Sequence, residues 1–124
     1  MENLSLVFIL LGLLFVKHWF ADFVVQFDYM VEQKGLYGAA GGIHHAGIHA
    51  LFTMLCFIPF LALPYSMVLG AIDGVVHYHI DWLKMRINRI RQLNVTKGEF
   101  WLWLGTDQLA HSLTYLALVY GALS

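Results

Sequence analysis

Apolar residues dominate four stretches of the chain, and each stretch is interrupted by ionisable residues one helical turn apart. The pairs are His18/Asp22, His45/His49, His77/Asp81 and Asp107/His111. A separation of four residues puts both members of a pair on one helix face. The pattern predicts helices over about 4–29, 39–59, 65–91 and 99–123, the membrane part of the first lying mostly in 4–25. Each approaches the roughly 20 residues needed to cross a hydrocarbon core. Helices satisfy their backbone polar groups internally, which lipid cannot do for an open sheet edge. The Gly-rich segment Gly35 to Gly42 separates the first two helices, and Pro59 and Pro64 bracket a short apolar turn. Thr96 and Glu99 have the spacing of a capping box that starts the last helix. Trp101 and Trp103 suit a membrane interface. The expected fold is all-α: a four-transmembrane-helix bundle forming one domain over residues 1–124, with a basic amphipathic extension between helices 3 and 4.

Composition agrees with that reading. Of the 124 residues, 60% are hydrophobic and only 12% charged, and the mean hydropathy is +0.68. A water-soluble domain of this length needs more charged surface. Cys56 is the one cysteine and lies in an apolar run, so it forms no internal disulfide and leaves the redox compartment open. The first stretch has Glu2 in place of a basic leader and runs past Lys17 into Trp19, Phe20 and Phe23 without a small-residue cleavage pattern. It reads as a mature helix rather than a signal peptide.

Charge sets an orientation. Five of the seven Lys/Arg residues, Lys84, Arg86, Arg89, Arg91 and Lys97, lie between helices 3 and 4. Leu83, Ile87 and Ile90 recur among them at helical spacing, as in an amphipathic helix whose basic side chains snorkel towards phosphates. The positive-inside rule places 84–99 in the cytoplasm. With four spans, loop 28–38 lies on the same side, and both termini face outward. Anionic lipid is a nearer partner for the basic run than nucleic acid, so no nucleic-acid partner is expected.

This topology puts all four pairs in the cytoplasmic half, a few to about 15 Å below the surface. The eight candidate ligands are His18, Asp22, His45, His49, His77, Asp81, Asp107 and His111. Imidazole and carboxylate donors suit zinc, iron, manganese or nickel, and argue against copper(I) or an iron–sulfur cluster. Eight exceed the four that one zinc ion accepts. Either two ions are bound, or some carboxylates orient imidazoles. Soluble bundles build di-metal carboxylate centres from the same spacing. The histidine share leans towards zinc-type hydrolysis, with Asp22, Asp81 and Asp107 as candidate catalytic carboxylates. A di-iron oxidase stays open.

Blander readings stand beside these. His18/Asp22 also reads as a helix-internal ion pair near the interface. His44 points about 100° away from His45 and faces the headgroups, and His79 reads as a surface group. Asp73, beside Gly70 and Gly74, reads as a group behind the ligands that supports the site, a proton route or a polar helix contact. Gln26, Lys34, Lys84 and Gln108 line the cytoplasmic mouth, where a lysine either binds a lipid phosphate as a point charge or only snorkels. No P-loop, dinucleotide fingerprint or Gly-x-Ser-x-Gly elbow occurs, and His45-Ala-Gly-Ile-His49 lacks the glutamate of His-Glu-x-x-His.

The ordered set His18-x-x-x-Asp22-Phe23-x-x-Gln26, Lys34, His45, His77-x-x-Ile80-Asp81-x-x-Lys84 and Asp107-Gln108-x-x-His111 resembles the bacterial and phage membrane-protein family catalogued as domain-of-unknown-function family 3307. The resemblance covers nearly the whole chain. It implies a multi-pass protein of the bacterial cytoplasmic (inner) membrane and supplies no reaction. A weaker similarity of the His/Asp motifs is to inner-membrane proteins described as metal-dependent hydrolases.

The expected function is a membrane-embedded, metal-dependent hydrolase acting on a phospholipid or other amphiphile from the cytoplasmic leaflet. It would hold one or two divalent ions, zinc ahead of iron or manganese. The alternatives are a non-catalytic metal- or proton-binding interaction or regulatory protein, and an ion transporter, although the outer half offers only Asp73 as a polar step. Membrane lipids are the expected partners. Four short helices bury little of their own surface, which favours homo-oligomerisation.

Overall fold

A computed structural model describes residues 2–124. Its elements are α1 (Glu2–Trp19), which continues into a π-helical turn (Phe20–Val24), then α2 (Asp28–Gln33), α3 (Ala40–Phe57), α4 (Leu63–Ile90) and α5 (Gly98–Leu123). Among the described residues there is no strand. The four long helices run alternately up and down in a ring, with α1 against α3, α3 against α4, α4 against α5 and α5 back against α1. The short α2 packs on α3.

The two halves of the bundle interior differ in chemistry. One half is dry, built from Leu10, Leu14, Phe57, Leu69, Leu118, Val119 and Ala122, with Tyr115 among them. The other half holds buried Lys, Asp and His side chains from all four long helices. Outside, the helices are covered with exposed apolar groups, among them Phe8 (67% exposed), Phe23 (70%), Val75 (61%) and Leu102 (66%). Polar inside and apolar outside reverses the usual order of a water-soluble domain.

Small residues set the tightest helix contact. A Cβ at Gly70 would come within 2.5 Å of the Ala50 carbonyl oxygen, and one at Gly74 within 2.8 Å of the Ala50 Cβ. Gly70-x-x-x-Gly74 on α4 therefore meets Ala46-x-x-x-Ala50 on α3, the small-residue spacing that lets helix backbones approach inside a bilayer. Before α3, Gly38 turns the chain with a φ of 85° and donates its N–H to the Tyr78 hydroxyl at 2.7 Å. Left-handed backbone of this kind favours glycine.

Two expectations need correcting. The first helix does not continue to residue 29. At Phe20–Val24 the hydrogen bonding widens, with the Val25 N–H donating to the Phe20 carbonyl at 3.0 Å, and a non-helical link then leads to α2. The extra residue in that turn helps aim Asp22 inward, and the Gln26 side-chain amide donates to the Asp22 carbonyl at 2.7 Å. Local insertions of this type mark functional segments of helices.

The capping box is not formed either. Lys97, not Thr96, precedes α5, and the Thr96 hydroxyl turns to the Asn94 side chain instead. Local Asx-type bonding has outcompeted the cap.

Only one span, Asn3–Val24, is long and apolar enough by itself to cross a membrane, with a mean hydropathy of 2.0. Among the described residues no other helix meets that standard. The inward-facing histidines and aspartates of α3, α4 and α5, and the basic end of α4, lower their averages. The basic extension is continuous with α4, as the expected helix over about 65–91 has it.

Candidate metal centre

The four long helices each deliver titratable side chains to one layer. His77, His49, His45 and His111 are at most 1% exposed, Asp81 2% and Asp22 8%. Asp22, on the π-helical turn, brings its Oδ1 to 2.8 Å from His49 Nε2, 3.1 Å from His45 Nε2 and 3.6 Å from His77 Nε2. Asp81, opposite on α4, brings Oδ2 to 3.2 Å from both His45 Nε2 and His77 Nε2. Its Oδ1 lies 3.2 Å from His111 Nε2. Those two imidazole nitrogens, His45 Nε2 and His77 Nε2, are 3.3 Å apart.

The rings are held by one another. His77 stacks between His49, at a centroid distance of 3.5 Å, and His111, at 4.0 Å. His45 stands edge-on to His49 and His77. The Nδ1 atoms of His45 and His77 meet no protein acceptor, so the packing and the Nε2 side alone orient these rings.

Two donor groups could hold a metal ion: Asp22, His45, His49 and His77, and separately His77, Asp81 and His111. A tetrahedral ion with bonds of about 2.0–2.1 Å separates its donors by about 3.3 Å. Five of the six spacings among Asp22 Oδ1, His45 Nε2, His77 Nε2 and Asp81 Oδ2, all but the one between the two carboxylates, run from 3.1 to 3.6 Å. The donor set and its scale fit a borderline divalent cation. Asp81 Oδ2 also takes no well-formed hydrogen bond although it is buried, which is uncommon for a buried polar atom.

Around this layer lies a second set of contacts. His18 does not join the cluster of donors. Its Nδ1 meets the Tyr115 hydroxyl at 2.6 Å, while its Nε2 lies 3.0 Å from Gln108 Oε1 and 3.1 Å from Asp22 Oδ2. Asp107 stands beyond His111, with Oδ1 at 3.5 Å from its Nε2 and Oδ2 at 3.3 Å from the Lys84 ammonium. Gln108 donates to Asp107 Oδ2 at 3.0 Å. Lys34 reaches Gln26 Oε1 at 2.9 Å and lies 3.6 Å from Asp81 Oδ2. Gln26, Lys34, Lys84 and Gln108 thus all touch residues of the layer or their immediate partners. His44 and His79 stay exposed, bonded to Tyr29 and Tyr37.

Asp73 acquires a partner that the sequence reading missed. Lys17 donates to Asp73 Oδ2 at 2.6 Å and approaches His49 Nδ1 at 3.0 Å, and Thr53 donates to the same Asp73 oxygen at 2.6 Å. The Lys17 ammonium also lies 4.7 Å from the Tyr115 ring centroid. The available signal was a lysine inside the apolar run from Leu10 to Phe23, where an ionisable group is functional by default. Tyr115 and Thr53 carried no such signal.

Charges nearly balance. Four buried carboxylates (Asp22, Asp73, Asp81, Asp107) face three ammonium groups (Lys17, Lys34, Lys84), leaving one negative charge before any imidazole is protonated. One divalent cation would convert that excess into a single positive charge.

Residues 9–124 match the family described as "Protein of unknown function (DUF3307)", and the chain belongs to that family. No curated protein and no solved structure matches it.

Proposed function

We propose that the chain is a membrane-embedded, metal-dependent hydrolase that acts on a phospholipid or another anionic amphiphile in the cytoplasmic leaflet. The observation that carries this reading is the convergence of His45 Nε2, His77 Nε2, Asp22 Oδ1 and Asp81 Oδ2 at metal-ligand spacing in the polar half of the bundle.

Membrane embedding as four spans is supported by the distribution of side chains. The charged groups face one another inside, and the lipid-compatible groups face out. Helices α4 and α5, of 28 and 26 residues, are about 40 Å long and reach across a bilayer. Their low average hydropathy comes from the inward residues and from the basic end of α4, neither of which would lie against lipid tails in this arrangement. The basic residues Lys84, Arg86, Arg89, Arg91 and Lys97 at that end of the bundle favour a cytoplasmic side for it and for the polar layer in a bacterial inner membrane.

Bound there, zinc or a similar divalent ion would supply Lewis acidity and make a coordinated water acidic enough to act at neutral pH. The surplus positive charge favours an anionic head, and Lys34 and Lys84 flank the layer to orient it. Asp22 and Asp81 serve as ligands in this scheme. Asp107 is the proton acceptor, because its Oδ1 is buried without a hydrogen-bond partner. In such a hydrolysis water would add to the phosphorus or acyl carbon as the ester bond breaks, and Asp107 would take a proton from the water and return it to the leaving oxygen.

The second reading is a centre that holds a metal ion or protons without turnover. The depth of burial favours it, since the grooves on the outer surface are not lined by the six cluster residues. Transport draws less support. Beyond Asp73, Lys17 and Thr53 the interior becomes the dry core of Leu10, Leu14, Phe57 and Leu69.

The test is lipid turnover. Zinc-loaded protein is reconstituted into vesicles of phosphatidylethanolamine and phosphatidylglycerol, and the lipid products are read by mass spectrometry. The expected result is time-dependent cleavage that falls at least about 100-fold in Asp107→Asn. Intact lipids with metal-loaded wild-type protein would leave the non-catalytic reading in place of this one.

A further inference from the structure

His49 is one of the eight candidate ligands by sequence and lies within the Asp22 donor group, yet its second nitrogen argues otherwise. Lys17 Nζ lies 2.6 Å from Asp73 Oδ2, the short distance of an ammonium-to-carboxylate hydrogen bond. An ammonium has three donors and no lone pair. At 3.0 Å it can meet His49 Nδ1 only by donating to it. A neutral imidazole whose Nδ1 accepts carries its hydrogen on Nε2. That Nε2 is 2.8 Å from Asp22 Oδ1, a donor-to-carboxylate distance. The result is a directed chain, in which Lys17 donates to His49 and His49 donates to Asp22, anchored by Thr53 and Asp73.

Resting on the metal reading above, we infer that His49 is not a ligand of the ion. Lys17 holds it as a hydrogen-bond donor to Asp22, and the ion takes His45, His77, Asp22 and Asp81. The fourth position goes to Asp81 because its Oδ2 is a buried carboxylate oxygen without a well-formed hydrogen bond, equidistant at 3.2 Å from His45 Nε2 and His77 Nε2. Two imidazoles and two carboxylates make a harder donor set than three imidazoles and one carboxylate, which admits manganese or iron(II) beside zinc. Lys17 and His49 become positioning residues. Lys17 fixes the tautomer, and His49 fixes the Asp22 carboxylate that the ion would bind, as outer hydrogen bonds commonly do in metal sites.

Two measurements test this. In the first, detergent-solubilised protein is titrated with cobalt(II), and X-ray absorption of the loaded protein counts imidazoles. Wild type should show about two imidazoles. His49→Ala should keep the same count and bind cobalt about 10–100-fold more weakly, whereas His45→Ala and His77→Ala should lose it altogether. Three imidazoles in wild type, falling to two in His49→Ala, would overturn the assignment while leaving the metal reading intact. A wild-type chain that takes up no cobalt would overturn the metal reading itself.

The second measurement does not depend on how His49→Ala folds. Nitrogen-15 NMR of histidine-labelled protein should show His49 as the Nε2–H tautomer, with a shift in that signal in Lys17→Met. A His49 ring protonated at Nδ1 in wild type would overturn the inference.

Discussion

His45 and His77 point their Nε2 atoms at each other across 3.3 Å, and Asp81 Oδ2 stands 3.2 Å from both. The three atoms form a nearly equilateral triangle with the edge length expected for one face of a tetrahedral metal site. Two imidazole nitrogens this close cannot both carry hydrogens pointed at each other. One nitrogen donating to the other would satisfy the contact, and so would a cation shared between them.

If an ion occupies that triangle, removing it should loosen the whole bundle, because the triangle ties α3 to α4. A ligand that binds only the folded state at about 1,000 times its Kd adds about 4 kcal/mol of stability. Chelator treatment should therefore lower the thermal midpoint in detergent, and added zinc should restore it. An unchanged melt with and without chelator would count against a bound ion.

Lys17 and Asp73 form a buried pair, both at most 6% exposed. Lys17→Met leaves Asp73 charged and alone in the interior, a change that typically costs about 3–5 kcal/mol. The double variant Lys17→Met with Asp73→Asn removes both charges and should recover much of that loss. Unfolding of the four members of this cycle gives the coupling, and additive losses would show that the pair is not interacting.

The α3–α4 contact predicts a sharp contrast between glycines. Gly70→Val places side-chain atoms against the Ala50 carbonyl, where even a Cβ has only 2.5 Å. It should destabilise the protein by about 1–3 kcal/mol or more. Gly12→Ala has nothing within 4 Å and should be neutral or slightly stabilising, since alanine is the better helix former. Thermal unfolding of the two variants side by side checks both signs.

Orientation can be read by labelling. In a Cys56→Ser background, Asn94→Cys lies beyond α4 and Ser124→Cys after α5. In intact spheroplasts a membrane-impermeant maleimide should reach Ser124→Cys and miss Asn94→Cys, with both reacting after lysis. The reverse pattern would invert the proposed topology.

Much of this was legible in the sequence, because spacing of four residues is a local property. The pairs His45/His49 and His77/Asp81 had to share helix faces, and all of their members are buried in one layer. The ends of α3, α4 and α5 also fell within about two residues of expectation.

What lay beyond reach depended on the third dimension. Asp22 meets His45 and His49 through a π-helical turn that no apolar periodicity announces. His18 shares a face with Asp22, yet its ring is drawn to Tyr115, 97 positions away in the chain. The role of His49 depends on which nitrogen Lys17 faces, and spacing carries no information about that.

The central claim is that the buried layer binds a divalent ion. Its most direct test is elemental analysis of protein purified from membranes without chelators, wild type beside His77→Ala. His77 is fully buried between two other rings and belongs to both donor groups. About one zinc, iron or manganese ion per wild-type chain, with only trace metal in a His77→Ala variant of the same helicity, is the predicted result. Folded wild-type protein that contains no such ion, and gains none on incubation with zinc, manganese or iron(II), would contradict it.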